Sequence, residues 1–365
     1  MTIQVPKDLL LEKLTNASRF VSNKLSSATA LQGILVKIVD GKMHFYSTNL
    51  STYFHTTLTL EEKGTHEFII EPRKIIEFIQ FLSSGLISID IKENQIAISQ
   101  GKTKGNFPLI QAQDFPIPPQ FKQEQMKLEG SFFQKNLPLV LFSASHDEIR
   151  PALTGVNFVS SDEELLMVST DGFRLSLIKE KNKHAVPSMI VPAEFLSEVS
   201  RLAKDAKEVG FIFSSEEKMV FFSVGEDEFY SRIIEGDFPP FERVIPSEVK
   251  TTIKMEKDEF LRNIRLISIF ARDFSNVVVC EFKKEGLYMR PKKDSNEENT
   301  TFQDIEFEGE DQRVAFNYKF VQDLLNHIDS KTIIVEILRS DAPIVFKEEN
   351  NKSFLHIIMP VRIQE

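Results

Sequence analysis

The tripeptide Asp114-Phe115-Pro116 recurs as Asp237-Phe238-Pro239, and Met359-Pro360 closes the last apolar segment, so the sequence repeats about every 120 residues. An extended apolar run precedes each of these three segments, and the runs occupy residues 86–91, 209–213 and 333–338. Helix-like spacing of apolar residues opens each copy, at residues 6–20, 131–145 and 257–271. A second helical pattern precedes each apolar run, at residues 72–82, 192–203 and 317–328. A repeat of this length indicates three similar folded units.

Each copy reads as a helix, strands, a second helix and further strands. In the first copy, residues 34–39 and 43–47 flank an Asp40-Gly41 turn, which is typical of a hairpin. We therefore predict an α+β fold of three domains, each with two helices packed on antiparallel sheet. Proline-rich segments at 117–120 and near Pro246 favour extended linkers, and the predicted domains are 1–120, 121–247 and 248–365.

The composition is that of a globular protein. Hydrophobic residues make up 41% and charged residues 27% of the 365 positions. The only cysteine, Cys280, excludes an intramolecular disulfide and favours a reducing compartment. No signal-peptide pattern opens the chain, and no apolar stretch approaches the ~20 residues that cross a bilayer. We expect a cytoplasmic protein without membrane contact.

The charge distribution is more informative than the net charge of −10, which argues against indiscriminate binding of nucleic acid. Arg201, Lys204 and Lys207 are spaced to form one stripe on a predicted helix, and Arg262 with Arg265 do the same in the third copy. Basic residues also mark the first copy, namely Lys7, Lys13, Arg19, Lys24, Arg73 and Lys74. A solvated surface explains any single stripe. Recurrence in three copies favours helices that face a polyanion through phosphate contacts.

Motifs for catalysis are missing from the sequence. It contains no nucleotide-binding glycine loop and no HExxH motif. A single cysteine cannot build a zinc site, and no two histidines pair on one helix face among His44, His55, His66, His146, His184, His327 and His356. Thr170-Asp171-Gly172 between apolar strands favours a turn, and the acidic segment 294–311 favours a solvated loop and edge strand. We predict no catalytic residue, no metal site and no cofactor.

Four segments of the chain carry a resemblance to one family. Residues 147–155 read DEIRPALTG, 170–175 read TDGFRL, 238–246 read FPPFERVIP and 359–363 read MPVRI. In this order and at these separations they resemble the bacterial sliding clamps, the beta subunits of DNA polymerase III. The resemblance covers essentially the whole chain and is weakest in the first copy and in segment 294–311.

The resemblance implies three clamp domains arranged as half of a ring. Clamps of this family are head-to-tail homodimers in which helices line a central hole and sheets form the outside. The ring encircles double-stranded DNA without reading its sequence and tethers the replicative polymerase for processive synthesis. Expected partners are the DNA polymerase III catalytic subunit, the clamp loader and other proteins with clamp-binding peptides, and the clamp itself is not an enzyme.

The resemblance also implies three sets of site residues. A partner-peptide pocket between the second and third copies corresponds to Leu153, Thr170, Gly172, Phe173, Arg174, Leu175, Pro239, Arg243, Val244, Ile357, Ile358, Met359 and Pro360. Residues expected to face DNA are Lys24, Arg73, Arg150, Arg201, Lys204, Lys207, Arg262 and Arg265. The expected dimer contact places Phe107 and Leu109 of the first copy against Ile269 and Phe270 of the third. In the pocket we expect Arg174 and Arg243 to hydrogen-bond the peptide at the rim.

The sequence departs from the family pattern in three features. Phe173 stands where many relatives have histidine, which makes the pocket more apolar. Lys24 is the nearest substitute for an Arg-Pro loop that some clamps direct at DNA. Gln364 and Glu365 extend past the usual end, and we expect them to place a carboxylate beside the groove.

Two other functions stay open from the residues alone. An enzyme with acid groups near Asp147 and Asp171 between domains is disfavoured by the missing catalytic motifs. A scaffold that binds only proteins is disfavoured by the recurring basic stripes.

Overall fold

The computed structural model describes residues 1–24, 28–111, 114–272, 276–292 and 299–362. Its α-helices are α1 Lys7–Ser18, α2 Pro72–Gln80, α3 Leu137–Leu141, α4 Ala193–Leu202, α5 Lys257–Ala271 and α6 Tyr318–His327. Its strands are β1 Thr2–Pro6, β2 Ile34–Val39, β3 Lys42–Thr48, β4 Thr52–Thr59, β5 His66–Ile70, β6 Leu86–Ile91, β7 Gln95–Gln100, β8 Thr103–Ile110, β9 Met126–Glu129, β10 Gly155–Ser160, β11 Glu164–Thr170, β12 Arg174–Lys181, β13 Met189–Pro192, β14 Glu208–Ser214, β15 Met219–Val224, β16 Asp227–Arg232, β17 Thr251–Glu256, β18 Val277–Lys283, β19 Gly286–Pro291, β20 Thr301–Gln303, β21 Glu306–Gly309, β22 Gln312–Asn317, β23 Thr332–Ile337, β24 Ile344–Glu348 and β25 Asn351–Ile358. Within the described ranges, no helix is both long and apolar enough to span a membrane.

The chain forms two compact units. The first comprises Met1–Gly130 with Asp205–Arg232, and the second comprises Ser131–Lys204 with Ile233–Glu365. The first unit holds a twelve-stranded sheet in the order β1-β6-β7-β8-β5-β2-β3-β4-β16-β15-β14-β9. The second holds a nine-stranded sheet, β13-β10-β11-β12-β25-β24-β23-β17-β21, and a four-stranded sheet, β20-β19-β18-β22. The middle third of the chain contributes strands to both units, and the predicted domain boundaries stay a prediction.

The α+β class with antiparallel sheets is confirmed, and so are most predicted elements. Helix α1 buries Leu10, Leu14 and Ala17 at helical spacing, as the apolar pattern predicts. Helix α2 begins at Pro72, where the missing N–H costs no hydrogen bond, and the Glu71 side chain accepts a hydrogen bond from the N–H of Arg73 at 3.1 Å.

The helix predicted over residues 131–145 is not one continuous α-helix, so that prediction is wrong. Residues 131–145 form a π-helical turn at Phe132–Asn136 and then the short helix α3, which ends at Leu141. Pro138 has no N–H to donate to the carbonyl four residues earlier, so it interrupts an α-helical hydrogen-bond ladder that would otherwise run through it.

The sequence pattern does not predict the first strand of each copy. Strand β1 pairs with β6, β9 with β14 and β17 with β23, each directly ahead of a helical segment. Burial alternates along β1, with Ile3 and Val5 inside. This period-two signal is short, and the adjoining helical pattern obscures it.

Antiparallel pairing joins successive repeats at two places. We call the pairing of β4 with β16 the first joint, and the pairing of β12 with β25 the second joint. The first joint lies within the first compact unit and the second joint within the second unit.

A buried ion pair fixes the first joint. The ammonium Nζ of Lys13 on α1 lies 2.8 Å from Oδ1 of Asp227 on β16, and these side chains are 10% and 9% exposed. The Thr56 hydroxyl on β4 donates a hydrogen bond to the same carboxylate oxygen. Helix α1, strand β4 and strand β16 therefore meet at the carboxylate of Asp227.

We predict that Asp227→Asn lowers the free energy of unfolding by about 3–5 kcal/mol, because it leaves the Lys13 ammonium buried without its counter-charge. Urea unfolding followed by circular dichroism measures the loss. As a control, Glu67→Gln removes the partner of Lys37 in a pair whose side chains are 59% and 34% exposed, and it is expected to cost below about 1 kcal/mol. Equal, small losses in both variants would contradict a stabilising role for the buried pair.

Candidate functional site

The TDGFRL segment forms the turn between β11 and β12. The Thr170 hydroxyl donates to the Arg174 carbonyl at 2.6 Å and accepts from the Gly172 N–H at 3.0 Å. Oδ1 of Asp171 accepts from the N–H groups of Phe173 at 2.8 Å and Arg174 at 2.9 Å. Gly172 has φ +92°, a left-handed conformation that glycine adopts without a Cβ clash. Side chains within the motif therefore build the turn.

The first copy contains the same turn with a different sequence. The Thr48 hydroxyl donates to the Thr52 carbonyl at 2.7 Å and accepts from the Leu50 N–H at 2.9 Å. Oδ1 of Asn49 accepts from the N–H groups of Ser51 at 3.0 Å and Thr52 at 2.8 Å. Leu50 takes the left-handed position, with φ +76°.

Both turns hold the strand of the next repeat in the same way. The N–H of Arg232 donates to the carbonyl of Ser51 at 2.9 Å, and the N–H of Met359 donates to the carbonyl of Phe173 at 2.8 Å. The two joints are thus structurally equivalent, and differences between their side chains decide what each one does.

The Arg174 guanidinium is engaged by the chain itself. Its Nε lies 3.0 Å from Oδ2 of Asp171, and its Nη1 lies 2.6 Å from Oδ2 of Asp323 on α6. The guanidinium also lies over the ring of Phe320 at 4.8 Å and near that of Phe142 at 5.7 Å. With 11% of its side chain exposed, Arg174 ties the turn to α6.

The C-terminal strand completes an apolar surface beside this turn. Arg174 pairs with Ile358 and Leu175 with Ile357 across the second joint. Leu175 and Ile357 are buried in one cluster with Val168, Phe241 and Val345, and Val244 packs against it half-buried. Met359 and Pro360 follow half-buried.

The exposed edge of this surface is aromatic. Phe173 is 60% exposed, and its ring stacks 6.4 Å from that of Phe320. The structure thus brings together the predicted residues Thr170, Gly172–Leu175, Val244 and Ile357–Met359. Leu153 is buried in a 3-10 turn, Pro151–Thr154, while Pro239 and Arg243 are exposed on the segment that leads to the third copy. Gln364 and Glu365 lie outside the described residues.

A polar network beneath the surface was missed by the sequence analysis. His356 is fully buried, its Nδ1 lies 2.8 Å from the Ser176 hydroxyl, and that hydroxyl lies 2.8 Å from the hydroxyl of Ser143. Burial lowers the pKa of His356 well below its usual value, and the charges of Arg174 and His327 add to this. The imidazole is therefore neutral at pH 7.

Residues of α6 were also missed, although the sequence holds a signal for them. Phe320, Asp323 and His327 follow one another at helical spacing on one face. Phe320 and Asp323 contact Arg174 at the second joint, and His327 stacks 4.5 Å from Phe142, which directly follows α3. The helical spacing shows that these three residues share one face of α6, but the residues that they contact depend on the tertiary fold.

The predicted basic stripe of the second copy is wrong in part. Helix α4 ends at Leu202, so Arg201 lies on it but Lys204 and Lys207 do not. The chain must leave the helix here to reach β14, where Val209 pairs with Leu128. Arg201 is exposed and forms an ion pair with Glu198 at 2.9 Å.

The other predicted DNA-facing residues are exposed. Arg262 and Arg265 share one face of α5, as predicted; Arg262 pairs with Glu259 at 3.2 Å, and Arg265 donates to Oδ1 of Asn326 at 3.0 Å. The remaining exposed side chains are Lys24, Arg73, Arg150, Lys204 and Lys207.

The predicted dimer residues differ in exposure. Phe107 and Leu109 on β8 are half-buried, and Phe107 makes an edge-on contact with Phe78 at 5.4 Å. Ile269 and Phe270 at the end of α5 are 51% and 44% exposed. Across the described ranges, no group of three or more His, Cys, Asp or Glu side chains is arranged to hold a metal ion.

Three family models match the chain in succession. They are the N-terminal domain of the DNA polymerase III beta subunit over residues 1–119, its central domain over 127–240 and its C-terminal domain over 242–362. Together these matches extend over nearly the whole sequence.

Individual relatives agree with these matches. The beta sliding clamp of Bacillus subtilis (strain 168) is 25% identical, over 99% of this chain and 100% of that protein. The beta sliding clamp of Halalkalibacterium halodurans is 24% identical over the same shares. Among solved structures, the DNA polymerase III beta subunit of Thermotoga maritima superposes with a TM-score of 0.91 at 25% identity, covering 100% of both chains. The sliding clamp of Bacillus subtilis gives 0.87 at 24% identity, also over 100% of both chains.

Proposed function

We infer, because this chain belongs to the DNA polymerase III beta subunit family of sliding clamps, that two copies close head to tail into a ring around duplex DNA. The family match in all three thirds of the chain is the observation that carries this proposal. Clamps of this family are processivity factors rather than catalytic enzymes. The ring would tether the polymerase III catalytic subunit and other partners to DNA in the cytoplasm.

Strand pairing supports a head-to-tail dimer. In the two joints, β4 and β12 pair with the last strands of the following repeats, β16 and β25. The strand in the third copy that corresponds to β4 and β12 is β20, which lies at the edge of its sheet beside β19. The last strand of the first copy, β8, pairs with β7 and meets β5 only at Leu109 and Ile110. A second copy would pair β20 with β8 and complete the series.

Aromatic packing at the two joints supports the same conclusion. The ring of Phe20, just after α1, stacks 5.1 Å from that of Phe54 and lies tilted, 5.9 Å from that of Phe229, at the first joint. Phe142, just after α3, stacks 4.5 Å from His327 on α6 and lies 5.3 Å from His356 at the second joint. In the first two copies, an aromatic residue that follows the first helix thus contacts the next repeat.

An aromatic residue at the end of the first helix is exposed in the third copy. Phe270 stands near the end of α5 and is 44% exposed, beside Ile269 and Leu266 at 51% and 47%. An apolar patch at this position needs a covering surface. The first copy of a second chain, with Phe107 and Leu109 on β8, would supply it.

We predict that Phe270→Asp weakens dimerisation at least about tenfold, because a charged group would lose hydration in the interface. Sedimentation velocity distinguishes the 41.9 kDa chain from a dimer of twice that mass. Ile149→Asp is the matched control, since Ile149 is 89% exposed and lies in the second copy, which takes no part in the proposed contact. A wild-type chain that sediments as a monomer would overturn the ring, and an intact Phe270→Asp dimer would move the interface elsewhere.

Exposed cations on helices support contact with DNA. Arg73 on α2, Arg201 on α4, and Arg262 with Arg265 on α5 are all exposed in a chain whose net charge is −10. Scattered arginines on helices suit weak, sequence-independent contacts to phosphates, which permit sliding.

We predict that the clamp, once a clamp loader has placed it on nicked circular DNA, stays bound through gel filtration at moderate salt. Linearising the circle should release it, because a ring slides off a free end. The bound fraction before and after restriction cleavage is the measurement. Equal retention on the linear product would indicate ordinary binding rather than encirclement.

The apolar surface at the second joint supports a partner-peptide pocket. Leu175, Ile357 and Val244 provide an apolar floor, and half-buried Met359 adapts its shape to different anchors. Exposed Arg243 can donate hydrogen bonds to a bound peptide. Because such peptides concentrate their binding energy in few anchors, the polymerase, the clamp loader and other partners would compete for one pocket.

We predict that Met359→Asp weakens binding of a peptide from the organism's own polymerase III catalytic subunit at least about tenfold, because the carboxylate would be desolvated under the apolar anchor. Fluorescence polarisation of the labelled peptide measures the affinity. Arg232→Ala is the matched control, since Arg232 occupies the equivalent position in the first joint. If Met359→Asp dimerises normally and binds the peptide with unchanged affinity, the pocket lies elsewhere.

A further inference from the structure

Two histidines face each other beside the first joint. His44 on β3 and His55 on β4 place Nδ1 and Nε2 3.1 Å apart, with their ring planes only 6° from parallel. Glu228 on β16 lies on the other side of the His55 ring, with Oε2 2.7 Å from Nδ1. We propose that His44 Nδ1 and His55 Nε2 together bind a divalent first-row transition metal ion, for which Zn²⁺ is the probe.

The separation of the two nitrogens fits a shared metal ion. Zinc–imidazole bonds of about 2.0–2.1 Å, at an angle near 90–110°, place two ligand nitrogens about 2.9–3.4 Å apart. The observed 3.1 Å lies within this interval. The spacing therefore suits a shared metal ion, which would lie off the line between the two nitrogens, so that both rings rotate to direct their lone pairs at it.

The carboxylate of Glu228 sets the tautomer that His55 needs. An ionised carboxylate only accepts hydrogen bonds, so the hydrogen of His55 resides on Nδ1 and the lone pair on Nε2 points at His44. A carboxylate behind a ligating imidazole is the usual support of a histidine metal ligand. Without metal, the N–H at Nδ1 of His44 donates to this lone pair.

Metal binding at this pair requires no net proton change. The hydrogen on Nδ1 of His44 moves through solvent to Nε2 of the same ring, which leaves two lone pairs directed at the metal ion. The half-buried position leaves room for water molecules to complete the coordination shell. With two protein ligands, the site is weaker than a structural zinc site with four.

The surroundings hold the pair in place. Tyr46 stacks 4.4 Å from the His55 ring, and the Tyr230 hydroxyl donates to Oε2 of Glu228 at 2.9 Å. Glu228 favours a cation here, and the charge of Lys42 opposes it. Because Glu228 belongs to β16, the site is complete only when the first joint is formed. A metal ion that binds only the folded pairing stabilises the joint.

Isothermal titration of ZnCl₂ into the full-length chain, in buffer without chelator, tests the site. We expect one Zn²⁺ per chain, and a loss of about tenfold or more in affinity for His44→Asn, for His55→Asn and for Glu228→Gln. His66→Asn is the matched control, since His66 is half-buried on β5 of the same sheet without a facing histidine partner, and its affinity should equal that of the wild type. Far-ultraviolet circular dichroism verifies that each variant is folded.

A thermal shift provides a second measurement. Zn²⁺ should raise the Tm of the wild type and of His66→Asn but leave that of His44→Asn unchanged. Zn²⁺ affinity that is the same in His44→Asn, His55→Asn and the wild type would overturn the proposal. So would an absence of Zn²⁺ binding to the wild-type chain at submillimolar concentration.

Discussion

Antiparallel pairing between strands of successive repeats is the constraint on which the rest of the structure depends. Because side chains alternate across a sheet, the register of a joint decides what lies on both faces. At the first joint, Phe54 pairs with Phe229 on the face that packs against Phe20, while His55 pairs with Glu228 on the other face. A slip of one residue would exchange the faces and destroy both arrangements.

The second joint uses the same backbone for different chemistry. Asn49 and Asp171 accept the same two N–H groups in their turns, but only Asp171 has a second carboxylate oxygen that holds a guanidinium. The charge of Arg174 is therefore balanced within the turn and by Asp323 on α6. At the first joint the buried charge lies elsewhere, between Lys13 and Asp227. The two joints therefore share the backbone geometry of their turns and differ in which side chains carry the buried charges.

Sequence periodicity predicted elements well and contacts poorly. The apolar run 86–91 is strand β6 with the same bounds. Apolar residues that alternate along a short segment between two turns are typical of a half-buried β-strand. Segment 131–145 failed as one helix because a local effect at Pro138 overrides its pattern. The stripe of Lys204 and Lys207 failed because a helix end depends on where the next strand must begin. The TDGFRL segment was placed correctly at the contact with the C-terminal strand only through its family resemblance.

The histidine pair shows why the sequence alone does not predict the proposed metal site. On a helix face, spacing along the chain decides contact, and the 11 positions between His44 and His55 are too many for a contact of that kind. In a sheet, contact depends on register: Tyr46 pairs with His55, and His44 pairs with Thr57, so the two histidines are diagonal neighbours. Glu228 joins them only because β16 continues the sheet from a distant part of the chain. The proposed peptide pocket and the proposed metal site both lie beside a joint between repeats, so the residues of one repeat alone do not determine either of them.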